Sequence, residues 1–314
     1  MSMPSNLAPK ISVVTAVYNE SKILPELYRR LKNVFESMGI SYEILFVDDR
    51  SRDDSWNCIE TLSVADKNVR GVRLARNFGQ HNALSAGLDI SQGDYVVLMD
   101  ADLQDEPEQI PKLLQKCEKE GKDIVYVVRE LRRDSQLKTF GGKIFFLIFN
   151  SCSEFKLRSD VGIYRMLSRK VVDELIHLRE QSRMITGLTE WMGFQADFIS
   201  APRPARVSGK TNYTLIKMIR LAMDGLLSFS NLPLRLAMVL GLVTSAASFL
   251  LAIIFIIRKI FFDWGIVGWS SLMVVFLFMG GAQLTVIGIL GEYIGRIFIE
   301  VKRRPLYIID RRTL

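Results

Sequence analysis

Cysteine is scarce in this chain of 314 residues, which contains only Cys58, Cys117 and Cys152. Their spacing matches no metal-binding pair, and a reducing cytosol keeps such thiols free, so we expect neither a disulfide framework nor a zinc site. Two nucleotide-binding loops are also missing. The first apolar strand is followed by AVYNES, which lacks the G-x-G-x-x-G of dinucleotide-binding folds, and the chain has no P-loop. The polar start of the chain predicts no signal peptide.

Charged residues are absent from two long stretches near the carboxyl terminus, Leu236 to Ile257 and Trp264 to Gly291. About 20 apolar residues cross a bilayer, so each stretch predicts a transmembrane helix, with spans at about 236–257 and 267–291. The alternative is a pair of buried helices in a large soluble core. The predicted organisation is a catalytic domain over 1–230, a membrane hairpin over 231–295 and a basic tail over 296–314.

Positive charge is concentrated after the second span, and the chain carries a net charge of +7. The positive-inside rule then predicts a multi-pass protein of the inner (plasma) membrane, with both termini and the catalytic domain in the cytoplasm. Because the basic residues crowd next to the apolar spans, we expect the lipid bilayer and its anionic head groups as a partner, and no nucleic acid.

Short apolar segments alternate with helical patterns in the first 110 residues, which predicts an α/β fold with a mostly parallel, doubly wound, Rossmann-like sheet. Four polar groups each follow a predicted strand: Tyr18 to Glu20, Asp48 with Asp49, Arg76 to Gly79, and Asp100 to Gln104. The carboxyl ends of parallel strands meet at one edge of a sheet, where open α/β folds bind their ligands. We therefore expect these groups to converge.

The stretch YVVLMDADLQDEPEQI places five carboxylates directly after a buried strand. Asp105, Glu106 and Glu108 surround Pro107 and suit the acidic first turn of a helix. Asp100 and Asp102 instead suit a hard divalent cation, Mg²⁺ or Mn²⁺, which commonly carries a diphosphate. D-x-D is a short pattern, so on its own it leaves both interpretations open.

Four motifs occur in order along the chain: VYNE at 17–20, VDDRSRDDS at 47–55, RNFGQHNALSAGLDISQGDYVVLMDADLQDEPE at 76–108, and SDVGIYRM at 159–166. With them the chain resembles the family 2 glycosyltransferases of GT-A fold. Within these it is similar to the polyprenyl-phosphate glycosyltransferases, the group of the bactoprenol glucosyltransferases and dolichyl-phosphate mannose synthases.

The resemblance implies roles for particular residues. The uridine nucleotide would contact Tyr18, Glu20, Asp49 and Asp100, with Asp48 either beside them or only shaping the turn. The metal would be held by Asp100 and Asp102, with Gln104 in support. Asp160 and Asp102 would be the catalytic carboxylates, Asp160 either accepting a residual proton or orienting a cation. The basic side chains that would bind the acceptor phosphate are those of Arg129, Arg132, Arg165, Arg206 and Lys210.

The implied reaction transfers a sugar, glucose by preference, from a UDP-sugar to a polyprenyl (undecaprenyl) phosphate, with inversion at the anomeric carbon. Mannose, GlcNAc or aminoarabinose as the sugar, and a non-catalytic membrane adaptor, are the alternatives. Segments near 138–150 and 212–229 are expected to be juxtamembrane helices resting on the bilayer. Gly291 and Gly295 form a G-x-x-x-G pair, which predicts a homo-oligomer, although packing within the hairpin explains it nearly as well.

Two departures from the family pattern concern the base pocket and the acceptor loop, and a further comparison concerns processive synthesis. Val17 stands where proline usually precedes the tyrosine of the first motif. The acceptor loop RVSGKTNY, residues 206–213, has Asn212 where lysine is expected. The segment QSRM does not match the Q-x-x-R-W of processive synthases, which disfavours polysaccharide synthesis.

Overall fold

A computed structural model describes residues 9–129, 161–201, 232–262 and 268–313. These residues divide into two compact units. The first contains the amino-terminal part together with the residues from Pro305 onward, and the second contains two long helices. The predicted juxtamembrane helices near 138–150 and 212–229 lie outside the described residues.

The first unit is built on one eight-stranded sheet. Its strands are β1 (Ile11–Val17), β2 (Tyr42–Asp48), β3 (Val69–Leu74), β4 (Tyr95–Asp100), β5 (Ile124–Arg129), β6 (Val161–Ser168), β7 (Ala196–Ala201) and β8 (Ile309–Arg312). Its helices are α1 (Leu24–Met38), α2 (Ser55–Ala65), α3 (Gln80–Ile90), α4 (Ile110–Glu120), α5 (Arg169–His177) and α6 (Ile185–Trp191), with a 3₁₀ turn at Pro107–Gln109 before α4.

The strand order is β7-β5-β6-β4-β1-β2-β3-β8. Strands β1 to β4 are mutually parallel. In their register, Asp48 lies opposite Val17 and Asp100 lies opposite Ala16. The strand ends that precede the polar groups therefore lie side by side at one edge of the sheet. Among the described strands, antiparallel pairing enters only at β6 and β8, so the predicted mostly parallel α/β sheet is confirmed.

Central strands of this sheet are buried along nearly their whole length, as is usual where helices cover both faces of a parallel sheet. In β1 only Ala16 is even partly exposed. Helix α1 covers the sheet with an apolar stripe of Leu24, Leu27, Leu31, Val34 and Phe35, all buried. The helix ends at Gly39, whose φ of 64° is a left-handed conformation that glycine adopts without a steric penalty.

Helix α3 packs unusually close to the sheet at Gly87. A Cβ atom at Gly87 would lie 2.2 Å from Cγ1 of Val14 and 3.2 Å from Cγ2 of Val47. Gly87→Ala is therefore expected to destabilise the fold by about 1 to 3 kcal/mol, the usual cost of overpacking a core. Denaturant unfolding of the purified protein measures this change. The double variant Gly87→Ala with Val14→Ala should be less destabilised than the sum of the two single variants, and strict additivity would contradict the close approach.

Strand β8 was not predicted from the sequence. The segment 296–314 was expected to be a basic tail, but Ile309–Arg312 pair antiparallel with β3 and close that edge of the sheet. The strand escaped prediction because it is four residues long, reads IDRR and has no alternation of apolar and polar residues. Its formation depends on the open edge of β3, which offers unpaired backbone groups.

The second unit contains α7 (Leu232–Phe262) and α8 (Trp269–Val301), both long and apolar enough to cross a membrane. The first predicted span lies within α7, and the second helix continues ten residues beyond the predicted end of its span at 291. Only 6% of the residues in the apolar window Leu234–Leu251 are buried, and none in Leu272–Val301. Such low burial does not fit the alternative of two core helices, and we conclude that these helices associate the chain with a membrane.

Candidate functional site

Backbone strain marks the carboxyl edge of the central strands. Asn19, Arg50 and Leu103 have φ angles of 59°, 62° and 59°, and they follow β1, β2 and β4 respectively. A left-handed conformation costs Arg50 and Leu103 about 1 to 2 kcal/mol each, whereas asparagine adopts it more readily. Strain of this kind persists where the surrounding contacts hold the chain in place, and it concentrates at functional sites.

The loop after β1 is fixed to the loop after β2 by hydrogen bonds. The backbone N–H of Asn19 donates to Oγ of Ser51 at 2.9 Å, and Oδ1 of Asn19 accepts from the backbone N–H of Arg52 at 2.8 Å. The backbone N–H of Glu20 donates to Oγ of Ser55 at 2.9 Å. The ring of Tyr18, 43% exposed, therefore stands on an anchored loop and is available to stack against a planar ligand.

Asp48 is fully buried and shapes the turn after β2. Its Oδ1 accepts from the backbone N–H of Ser51 at 3.0 Å, and its Oδ2 lies 3.1 Å from Nε of Arg73. Of the two predicted roles for Asp48, these contacts support the turn. A carboxylate without exposed surface is not positioned to contact a nucleotide.

Asp49 ties the turn after β2 to the loop that precedes α3. Its two carboxylate oxygens accept from the backbone N–H groups of Phe78 at 2.7 Å and Gly79 at 2.9 Å. Burial raises the pKa of Asp49, an effect that these two amides oppose. The predicted groups Asp48–Asp49 and Arg76–Gly79 are thus in direct contact.

The acidic run after β4 divides into two sets of carboxylates. Asp100 and Asp102 are partly exposed, whereas Asp105 is 2% exposed and its Oδ2 accepts from the backbone N–H of Asp100 at 3.0 Å. Glu108 lies at the surface and pairs with Arg30, whose Nε donates at 2.8 Å. Asp100 and Asp102 are thus the partly exposed carboxylates of this run that lie nearest to the end of β4.

Both exposed aspartates are held by neighbouring donors. Nε2 of Gln80 donates to Oδ1 of Asp100 at 2.5 Å, and the backbone N–H of Gln104 donates to Oδ1 of Asp102 at 3.1 Å. The sequence analysis missed the roles of Gln80 and Asp105. No sequence pattern marks Gln80, because it lies 20 residues before its partner Asp100. Asp105 was grouped with the carboxylates of the helix start.

Asp100 and Asp102 fit a divalent cation that a ligand helps to coordinate. Their oxygens are the hard donors that Mg²⁺ and Mn²⁺ accept, and Mg²⁺ is commonly bound by one or two carboxylates together with substrate phosphates. Among the described residues, no group of three or more His, Cys, Asp or Glu side chains could hold a metal by itself. The donor set therefore suits a metal completed by a diphosphate.

Arg165 was predicted to bind the acceptor phosphate, but the structure places its side chain in the interior of the first unit. Its side chain is fully buried, and its guanidinium donates to Oγ1 of Thr189 at 2.7 Å, to Oγ1 of Thr186 at 2.9 Å and to the carbonyl of Ile163 at 3.0 Å. Burial lowers the pKa of Arg165. Because its donors serve the interior, Arg165 supports β6 and α6 instead of binding a ligand.

The other predicted residues of the acceptor side fall outside the described part of the chain. They are Asp160, Arg132, Arg206 and Lys210. Arg129 ends β5, and its side chain is likewise outside the described residues.

Comparison with known proteins relates the chain to sugar-transferring enzymes. The profile of glycosyl transferase family 2 matches residues 12–176. The chain is 40% identical over 301 residues to the uncharacterized glycosyltransferase YkcC of Bacillus subtilis, covering 96% of this chain and 93% of that protein. It is also 40% identical to the bactoprenol glucosyl transferase of Shigella phage SfII, covering 96% and 98%. The undecaprenyl-phosphate 4-deoxy-4-formamido-L-arabinose transferase of an Enterobacter species is 36% identical, covering 96% and 93%.

Proposed function

Since the chain belongs to glycosyl transferase family 2 and is a glycosyltransferase, we propose that it transfers glucose from UDP-glucose to a polyprenyl phosphate, such as undecaprenyl phosphate, and releases UDP. The products are a lipid-linked monosaccharide and the nucleoside diphosphate. Relatives that act on bactoprenol and undecaprenyl phosphate, similar over 96% of this chain, support the acceptor.

The observation that carries the donor half of the proposal is the pair Asp100 and Asp102. Both are partly exposed at the carboxyl edge of the sheet and held by Gln80 and Gln104. A bound Mg²⁺ or Mn²⁺ supplies neutralisation of the negative charge that grows on the departing diphosphate. Tyr18 and Glu20 border the same edge, where Tyr18 can stack against the base, and the buried Asp49 holds the loop before α3 next to them.

The acceptor needs little activation because a phosphate monoester, with a second pKa near 6, is largely a dianion at neutral pH. One of its oxygens attacks the anomeric carbon, the bond from that carbon to the diphosphate oxygen breaks, and the configuration inverts. Asp160 either accepts a residual proton or orients one of the cations Arg129, Arg132, Arg206 and Lys210 toward the acceptor phosphate.

The membrane helices suit an acceptor that never leaves the bilayer. We place the catalytic domain at the cytoplasmic face of the plasma membrane, because basic residues follow the second span.

A homo-oligomer is also part of the proposal. In the described structure, a Cβ at Gly288, Gly291 or Gly295 would meet no atom within 4 Å, so these glycines remain available for contact between chains.

The test is sugar transfer by the purified protein in lipid nanodiscs that contain undecaprenyl phosphate and Mg²⁺ or Mn²⁺. We expect glucosylated lipid and UDP from UDP-glucose, with less product from UDP-GlcNAc, GDP-mannose or a UDP-aminoarabinose derivative. A higher rate with another donor would show that the transferred sugar is not glucose, and the proposed reaction class would still hold. Neither transfer nor donor hydrolysis with any donor would indicate the non-catalytic adaptor.

A further inference from the structure

The chain returns to the catalytic sheet after its second long helix. Hydrogen bonds hold both ends of β8: the backbone N–H of Ala75 donates to the carbonyl of Ile308 at 2.8 Å, and the backbone N–H of Thr313 donates to the carbonyl of Gly71 at 2.9 Å. Oγ1 of Thr313 accepts from the backbone N–H of Gly71 at 2.8 Å. These hydrogen bonds make β8 an integral strand of the first unit's sheet.

Strand β3, the partner of β8, holds the turn that follows β2. Arg73 lies opposite Arg311 in the register of the two strands. The guanidinium of Arg73 lies 3.1 Å from Oδ2 of Asp48 and donates from Nη2 to the carbonyl of Ser51 at 3.3 Å. The turn from Asp48 to Ser51 therefore rests on the strand whose open edge β8 closes.

A direct contact joins β8 to the same turn. Nη1 of Arg50 donates to Oδ2 of Asp310 at 2.7 Å, although the two residues are 260 positions apart. Arg50 is the turn residue with a left-handed backbone, which costs free energy unless neighbouring contacts hold it. The side chains of Arg50 and Asp310 remain 45% and 38% exposed, so the pair lies at the surface next to the carboxyl edge of the sheet.

We propose that β8 is part of the donor site, and that Asp310 is a positioning residue that acts through Arg50 to hold the Asp48–Ser51 turn in its ligand-binding conformation. The inference rests on the proposed function, because that turn borders the edge where the nucleoside is proposed to bind. When only a fraction of molecules has the competent turn, the apparent dissociation constant rises by the inverse of that fraction.

An exposed ion pair has a limited effect, so loss of the pair is expected to weaken UDP binding by about two- to fivefold. The measurement is calorimetric titration of UDP with Mg²⁺ into the full-length protein in detergent, for Asp310→Asn, Arg50→Ala and the double variant. Asp310→Asn should raise the dissociation constant for UDP and the KM for the donor sugar while leaving kcat nearly unchanged.

The double variant separates positioning from general stabilisation. If Asp310 acts through Arg50, adding Asp310→Asn to Arg50→Ala should weaken UDP binding no further. Glu26→Gln is the matched control, because Glu26 forms an exposed pair with Arg29 on α1 at a similar distance of 2.7 Å, and it should bind UDP like the unaltered protein.

The inference would be overturned by an Asp310→Asn protein that binds UDP as the unaltered protein does, or by effects of the two substitutions that simply add. A change in the denaturation midpoint that accounts for the whole loss of binding would also overturn it. Failure of the unaltered protein to bind UDP with Mg²⁺ or Mn²⁺ would instead contradict the proposed function, so the two failures are distinguishable.

Discussion

Asp100→Asn and Asp102→Asn are each expected to lower sugar transfer by about 100-fold or more, the usual loss when electrostatic stabilisation of a transition state is removed. Both carboxylates are partly exposed at the carboxyl edge of the sheet. Glu108→Gln should keep near-normal activity because Glu108 pairs with Arg30 at the surface, and a carboxylate in a first helical turn contributes only about 0.3 to 1 kcal/mol of stability. Glu106→Gln should behave in the same way.

Asp105 is expected to behave differently from the glutamates, because its buried carboxylate accepts from the backbone N–H of Asp100. Asp105→Ala should therefore lower transfer as well, by displacing Asp100. The measurement is the transfer rate of each variant as a function of Mg²⁺ or Mn²⁺ concentration, together with metal-dependent UDP binding. Equal losses at all five acidic positions would show that the run acts as one electrostatic patch, and the proposed metal site would be wrong.

Acidification is expected to destabilise the fold through His81. Burial, followed by the nearby guanidinium groups of Arg165 and Arg183, lowers the pKa of His81 from 6.5 to about 4. Within the described residues, its buried Nδ1 has no hydrogen-bond partner. The neutral imidazole therefore suits the folded state.

The direction of this stability change follows from the protonation of His81 in the folded and in the unfolded chain. Between pH 6.5 and about pH 4 the unfolded chain binds a proton at His81 that the folded chain does not, so stability falls as the pH falls through this window. A pKa difference of this size corresponds to about 3 kcal/mol. Denaturant unfolding at several pH values should show that loss in the unaltered protein and a smaller one in His81→Gln.

The second histidine provides the control for this measurement. His177 is exposed in the last turn of α5, so His177→Gln should retain the acid-dependent loss of stability. An equal loss in His81→Gln and the unaltered protein would assign the effect to other groups.

Local patterns in the sequence were enough to predict the α/β alternation, the sheet edge on which the loops meet, and the two apolar helices. Each of these depends on residues close together in the chain: the periodicity of apolar residues within a segment, the polar residues directly after a strand, or the length of an uncharged run. The pair Asp100 and Asp102 was singled out in the same way, from its position after β4.

The tertiary structure alone decided which polar side chains reach the edge. The sequence motifs offered Arg165 and Asp48 as site residues, but both are fully buried in the folded chain. Strand β8 exists because β3 leaves an open edge, and Asp310 meets Arg50 across 260 positions. Burial and partners of this kind depend on segments that only folding brings together, so no local pattern in the sequence contains them.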